Sequence, residues 1–145
     1  MKELLYLKDE QLKEFIEKLF MCYRDSFGDA RSALDKHSLG VAHHKVIHLL
    51  SVHKDITISE LLKKLKVTKQ SLNRVLKDLV KINAISFKKN EQDSRLKHIF
   101  LNKKGEGIFN DIFFIQKKRI YNALLKSTPE EVVCFDSVLK RITDE

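Results

Sequence analysis

The chain is poor in the residues that most often carry chemistry or covalent staples: two cysteines, one proline, four glycines and no tryptophan among 145 residues. Cys22 and Cys134 stand far apart with no CxxC, which excludes a disulfide framework and a cysteine-built zinc knot. So few glycines leave no phosphate-cradling loop, and neither GxSxG nor HExxH occurs, so the sequence offers no catalytic motif and calls for no cofactor. Long apolar runs are missing too, because charges interrupt every one before the ~20 residues a membrane span needs. The start, MKELLYLKDEQLKEF, brings in acids at once and has no apolar signal core. The expectation is a soluble, cytoplasmic protein, associated with the nucleoid if its partner is DNA.

Charge is abundant, and its placement says more than its total of +8. Between Lys54 and Lys104 there are fourteen Lys+Arg against five Asp+Glu, a net of +9; the remainder holds fourteen against fifteen, a net of −1. A polyanionic partner would therefore be met through the middle third of the chain.

Hydrophobic spacing divides the chain into elements. Leu12, Phe15, Ile16, Leu19, Phe20, Tyr23 and Phe27 recur at helical period over Asp9 to Phe27. The stretch FGDARSALDKHSLG breaks that pattern, and Val41 to His53 resumes it. Thr57 with Glu60 forms a T-x-x-E capping box for a short helix ending near Lys66. Thr68 caps the next, which runs to about Ile82. The period then changes to alternation: AISFKK and LKHIFL read as strands around the polar tip NEQDSR. Helix returns from Lys103 to Leu125, with Asn102 as its cap, and its apolar residues, including Ile108, Ile112, Ile115 and Ile120, span an arc too wide for one solvated side. Thr128, Pro129 and Glu131 open a last helix carrying Val132, Phe135, Leu139 and Ile142.

Helix, tight turn, helix, then a hairpin with a charged tip is the order of a winged helix-turn-helix, a mainly α fold with a small two- or three-stranded β wing. In VTKQSLNRVLKDL, Leu72, Val75, Leu76 and Leu79 form one face, while Lys69, Gln70, Asn73, Arg74 and Lys77 gather on the other. Gln70 and Asn73 can pair with adenine edges and Arg74 with guanine, while Thr68, Lys69, Ser71 and Lys77 suit phosphates. In the hairpin, Lys88, Lys89, Arg95 and Lys97 flank Asp93, whose carboxylate, two residues before Arg95, can aim the guanidinium into a minor groove. A solvated helical face would look similar residue by residue. The local cation excess and the wing that follows favour DNA.

The stretch from ISELLKKLKVTKQ through LKHIFLNKKGE, with its D-x-R wing followed by L-x-x-x-G, resembles the MarR family of bacterial winged-helix regulators over nearly the whole chain. LGVAHHKVIHLL together with VTKQSLNRVL is similar to that family's PetP-like subgroup. Asn102 departs from the usual Thr but can still cap. The resemblance implies one MarR-type domain over 1–145, with a DNA-binding lobe at about 41–102 and dimerisation helices at about 1–40 and 103–145. It also implies a homodimer on a palindromic operator, often a repressor relieved by a small-molecule effector or an oxidant. Phe15, Leu19, Ile112, Ile115, Phe135 and Leu139 are the expected dimer-interface residues.

Two sensor readings compete with plainer ones. His43, His44 and His48 lie close together, but two imidazoles on a helix face do not complete a metal site, so no metal is assigned. Cys22 lies on the first long helix, where oxidant-sensing members of the family it resembles carry a reactive cysteine, against the plainer reading of a small buried hydrophobe. A non-specific nucleoid-type DNA binder and a protein-interaction module remain as other functional classes.

Overall fold

The computed structural model describes residues 4–143. After a single 3-10 turn at Leu5–Leu7 come α1 (Asp9–Gly28), α2 (Arg31–Lys36), α3 (Val41–Val52), β1 (Ile56–Thr57), α4 (Ile58–Leu65), α5 (Lys69–Lys81), β2 (Ile85–Lys89), β3 (Lys97–Leu101), α6 (Lys103–Leu125) and α7 (Pro129–Ile142). The chain divides into two compact units, residues 30–113 and residues 1–29 with 114–145. The lobe expected at about 41–102 lies inside the first.

The 30–113 unit is a winged helix. Its sheet is antiparallel in the order β1-β3-β2, so β3 is central and pairs Ile99 with both Ile56 and Phe87. Val46, Ile47 and Leu50 of α3, Leu61 of α4, Leu72 and Leu79 of α5, and Ile99 of β3 are buried in one core. Capping sets the helix starts as the sequence predicts. Thr57 Oγ1 accepts the Glu60 N–H at 3.1 Å, and the Glu60 carboxylate accepts the Thr57 N–H at 3.4 Å, closing a reciprocal box. Thr68 Oγ1 accepts the Ser71 N–H at 3.1 Å. The turn between α4 and α5 is tight because Lys66 ends α4 in the left-handed region, at φ 52°.

The L-x-x-x-G motif has a steric explanation. A Cβ on Gly105 would run into the Ala84 carbonyl, so only glycine lets the first turn of α6 press against the backbone leading into β2. Asn102 supports the junction twice, its Oδ1 accepting the Gly105 N–H at 2.9 Å and its Nδ2 donating to the Asn83 carbonyl at 2.7 Å. A threonine could supply the first bond but has no amide to supply the second.

Two features differ from expectation. FGDARSALDKHSLG is not simply a break: α1 continues through Gly28, and α2 follows with Ala33 and Leu34 buried. Ile112, expected at a dimer interface, is wholly buried in the 30–113 unit and has no surface to give a partner. The wide apolar arc of α6 is split along its length: its buried residues, Gly105, Ile108 and Ile112, all lie in the half belonging to the winged lobe.

In the other unit neither α1 nor α7 buries any residue. Arg119 of α6 forms a two-toothed ion pair with Asp29, Nε to Oδ2 at 2.6 Å and Nη2 to Oδ1 at 3.0 Å, and Gln116 donates to the Ser26 carbonyl at 3.1 Å. The Asp29 carboxyl is held below its usual range chiefly by the hydrogen bond from Arg119. Among the described residues no helix is long and apolar enough to cross a membrane.

Candidate nucleic-acid interface

Helix α5 is divided cleanly. Leu72, Leu76 and Leu79 are buried and Val75 half-buried, which fixes the rotation of the helix on the lobe. That rotation turns Lys69, Gln70, Asn73, Arg74 and Lys77 outward, where they line one open groove. No acid joins them. Asp78, the one acid of α5, points its carboxylate at His43 of α3, with Oδ2 and Nε2 2.9 Å apart. His43 Nδ1 accepts the Gly40 N–H at 3.0 Å, so the proton on this ring sits on Nε2 and is donated to Asp78. The ring thus ties α3 to α5 and draws the only negative charge of α5 out of the groove.

The capping hydroxyls divide their work. Thr68 donates its hydroxyl hydrogen to Ser71 Oγ at 2.8 Å and accepts the Ser71 N–H, which occupies it structurally. Ser71 Oγ keeps its own hydrogen for an outside acceptor. At the start of α5 the backbone N–H groups and Lys69 together favour an anion such as a phosphate.

The wing carries the second cluster. Lys89 stands directly opposite Lys97 in the ladder, and Lys88 opposite His98. Like charges facing each other across a ladder repel, a cost that a polyanion removes. Asp93 Oδ1 accepts both the backbone N–H of Arg95, at 3.0 Å, and its Nε–H, at 3.2 Å. The Arg95 side chain is 90% exposed, so its direction is set by this carboxylate and not by packing. The D-x-R reading of the wing and the polar-face reading of α5 both describe what the fold places at the surface.

The remaining histidines and the cysteine have definite surroundings. His44 is wholly buried, and His48 is half-buried with its ring edge-on to Phe109, centroids 6.0 Å apart. Among the described residues no group of three or more His, Cys, Asp or Glu is disposed to hold a metal ion. Cys22 is exposed within its own chain. Of the expected dimer residues other than Ile112, Phe15, Leu19 and Phe135 are exposed, while Ile115 and Leu139 are half-exposed. Sequence reasoning missed three aspartate neighbours of histidines, Asp111 for His37, Asp78 for His43 and Asp55 for His98, because each pair is joined only by the fold.

A short helix, tight turn and outward-facing polar helix, followed by a three-stranded wing with a carboxylate-held arginine, define a winged helix-turn-helix DNA-binding protein. More narrowly, the chain belongs to the MarR family of transcription regulators, whose sequence profile matches residues 39–97. It is 36% identical over 141 residues to the HTH-type transcriptional regulator PetP of Rhodobacter capsulatus, covering 97% of this chain and 85% of that protein. Its fold is similar to that of a MarR-family regulator from Silicibacter pomeroyi, with a TM-score of 0.76 at 18% identity, covering 97% of this chain and 94% of that one. It is also similar to the S. aureus MepR F27L mutant bound to an oligodeoxyribonucleotide, with a TM-score of 0.61 at 17% identity, covering 90% and 96%.

Proposed function

We propose that this MarR-family regulator is a homodimer that binds a palindromic operator in double-stranded DNA and represses transcription there. The observation that carries the reading is the division of α5, which buries three leucines and turns five long cationic or amide side chains into one groove free of acids. In the complex α5 lies in the major groove, with Gln70, Asn73 and Arg74 reading base edges and Lys69, Ser71 and Lys77 on phosphates, while Thr68 acts through its cap. Arg95 enters the flanking minor groove, held by Asp93, with Lys88, Lys89 and Lys97 along the backbone. A second copy follows from DNA geometry, since half-sites about 10 base pairs apart require two such helices at fixed separation. The uncovered apolar faces of α1 and α7, with Phe15, Leu19, Phe135 and Leu139, are the surface that supplies it.

The test is competition. Incubated with genomic fragments and excess random duplex, the protein should retain a small set of fragments sharing an inverted repeat. Retention that random duplex abolishes evenly would make it a non-specific nucleoid-type binder instead. Sedimentation of the free protein at twice the chain mass is the companion result, and a single-chain mass would overturn the dimer.

A further inference from the structure

The wing tip is held by a run of hydrogen bonds that begins at His98 on β3. Asn90 Oδ1 accepts the backbone N–H groups of Gln92 at 2.8 Å and Asp93 at 3.0 Å, which fixes the end of the amide that faces the loop. Its Nδ2 therefore faces His98 Nε2, at 2.9 Å. An amide NH2 group only donates, so that ring nitrogen must accept, and the imidazole proton belongs on Nδ1. His98 Nδ1 is shut off from solvent, and although Asp55 Oδ1 lies 2.8 Å away the contact lacks hydrogen-bond geometry, so the ring's directed bond is the one to Asn90. At the other end, Asp93 is the residue that holds Arg95.

We propose that His98 and Asn90 are positioning residues for Arg95, acting in the order His98, Asn90, Asp93. Each bond depends on the one before it. The His98 ring nitrogen anchors the Asn90 amide NH2, and the amide oxygen places the backbone of Gln92 and Asp93. The Asp93 carboxylate then has one direction in which to present the guanidinium. His98 suits the first position because it sits on the central strand β3, and its side chain is only 16% exposed, while Arg95 has no packing of its own to hold it. The inference rests on the wing contacting DNA as proposed above.

Binding isotherms at one salt concentration, on a duplex recovered by selection from a random-sequence library, test it with four proteins: wild type, R95A, H98F and the double variant. R95A should weaken binding ~5- to 150-fold and flatten base preference at the wing positions. H98F keeps the ring's bulk without its nitrogens and should weaken binding ~3- to 30-fold, with no further loss when added to R95A. An equal loss from H98F in both backgrounds would assign it to the fold and overturn the proposal, as would wild-type affinity of H98F alone. Nitrogen-15 spectra of the intact wild-type protein give a second readout that survives poor folding of the variant. The His98 ring should carry its proton on Nδ1, and a proton on Nε2 would overturn the chain. If R95A itself leaves affinity and preference unchanged, the DNA-reading wing fails, while the tautomer still tells whether the chain exists.

Discussion

At the scale of single residues, position in the groove decides what a substitution should do. Arg74→Ala removes a bidentate partner for a base, so binding should weaken by about 1–3 kcal/mol with relaxed preference at one operator position. Lys77→Ala should weaken all duplexes alike and lower the slope of log affinity against log salt by about 1. Titration against operator variants at several salt concentrations separates the two. His48 supplies a pH effect on stability. Burial, with a smaller contribution from His53, holds its pKa below the ordinary 6.5. The folded chain then binds fewer protons than the unfolded chain at mildly acid pH, so the contribution of His48 is complete above 6.5 and is lost as pH falls through the lowered value. Urea midpoints measured from pH 7.5 downward should fall more steeply for the wild type than for His48→Gln. The sequence shows some of these relations and hides others. Asp93 and Arg95 are two positions apart, so their bond is a local consequence of the turn. His43 and Asp78 lie 35 positions apart, and no spacing rule pairs them.

At the scale of elements, boundaries were legible wherever a cap announced them. Thr57, Thr68 and Thr128 each accept the N–H three residues on, at 3.1, 3.1 and 3.2 Å, and their helices begin where those hydroxyls predict. Thr57→Ala should cost about 1 kcal/mol, read as a lower urea midpoint at unchanged slope. Gly105→Ala should cost more, about 1–3 kcal/mol, because the added methyl must displace the Ala84 carbonyl or shift α6. Helix α2 was not legible: it has six residues, no side-chain cap and only two buried apolar side chains, too short for a period to show. The two-residue strand β1 was hidden for a related reason, since Thr57 is at once its last residue and the cap of α4. The wide arc of α6 is legible in the sequence, but the sequence does not tell which of its residues face the lobe. Ile108 and Ile112 belong to the lobe core, so the arc records a change of surroundings along the helix, and its first half offers a second copy nothing at Ile112.

At the scale of the whole molecule, the net +9 of residues 54–104 and the net −1 elsewhere give the chain a charged working region beside electrically quiet ends. If a dimer neutralises ~6–10 phosphates, affinity should fall ~10³- to 10⁵-fold between 50 and 200 mM salt, and an isotherm unchanged across that range would reject the electrostatic mechanism. In the proposed dimer the quiet ends serve association. Phe15→Glu places a charge on the exposed face of α1, and it should yield single chains on sedimentation and lose operator binding, while urea still unfolds the lobe cooperatively. The absence of any buried residue on α1 and α7 reaches further than partner choice. In the proposed dimer the second copy supplies the cover these helices lack, so thinning the solution acts on them as a denaturant. Their melting temperature should climb with protein concentration, leaving the number of regulator molecules in a cell to govern both how many operators are filled and how much of each chain is folded.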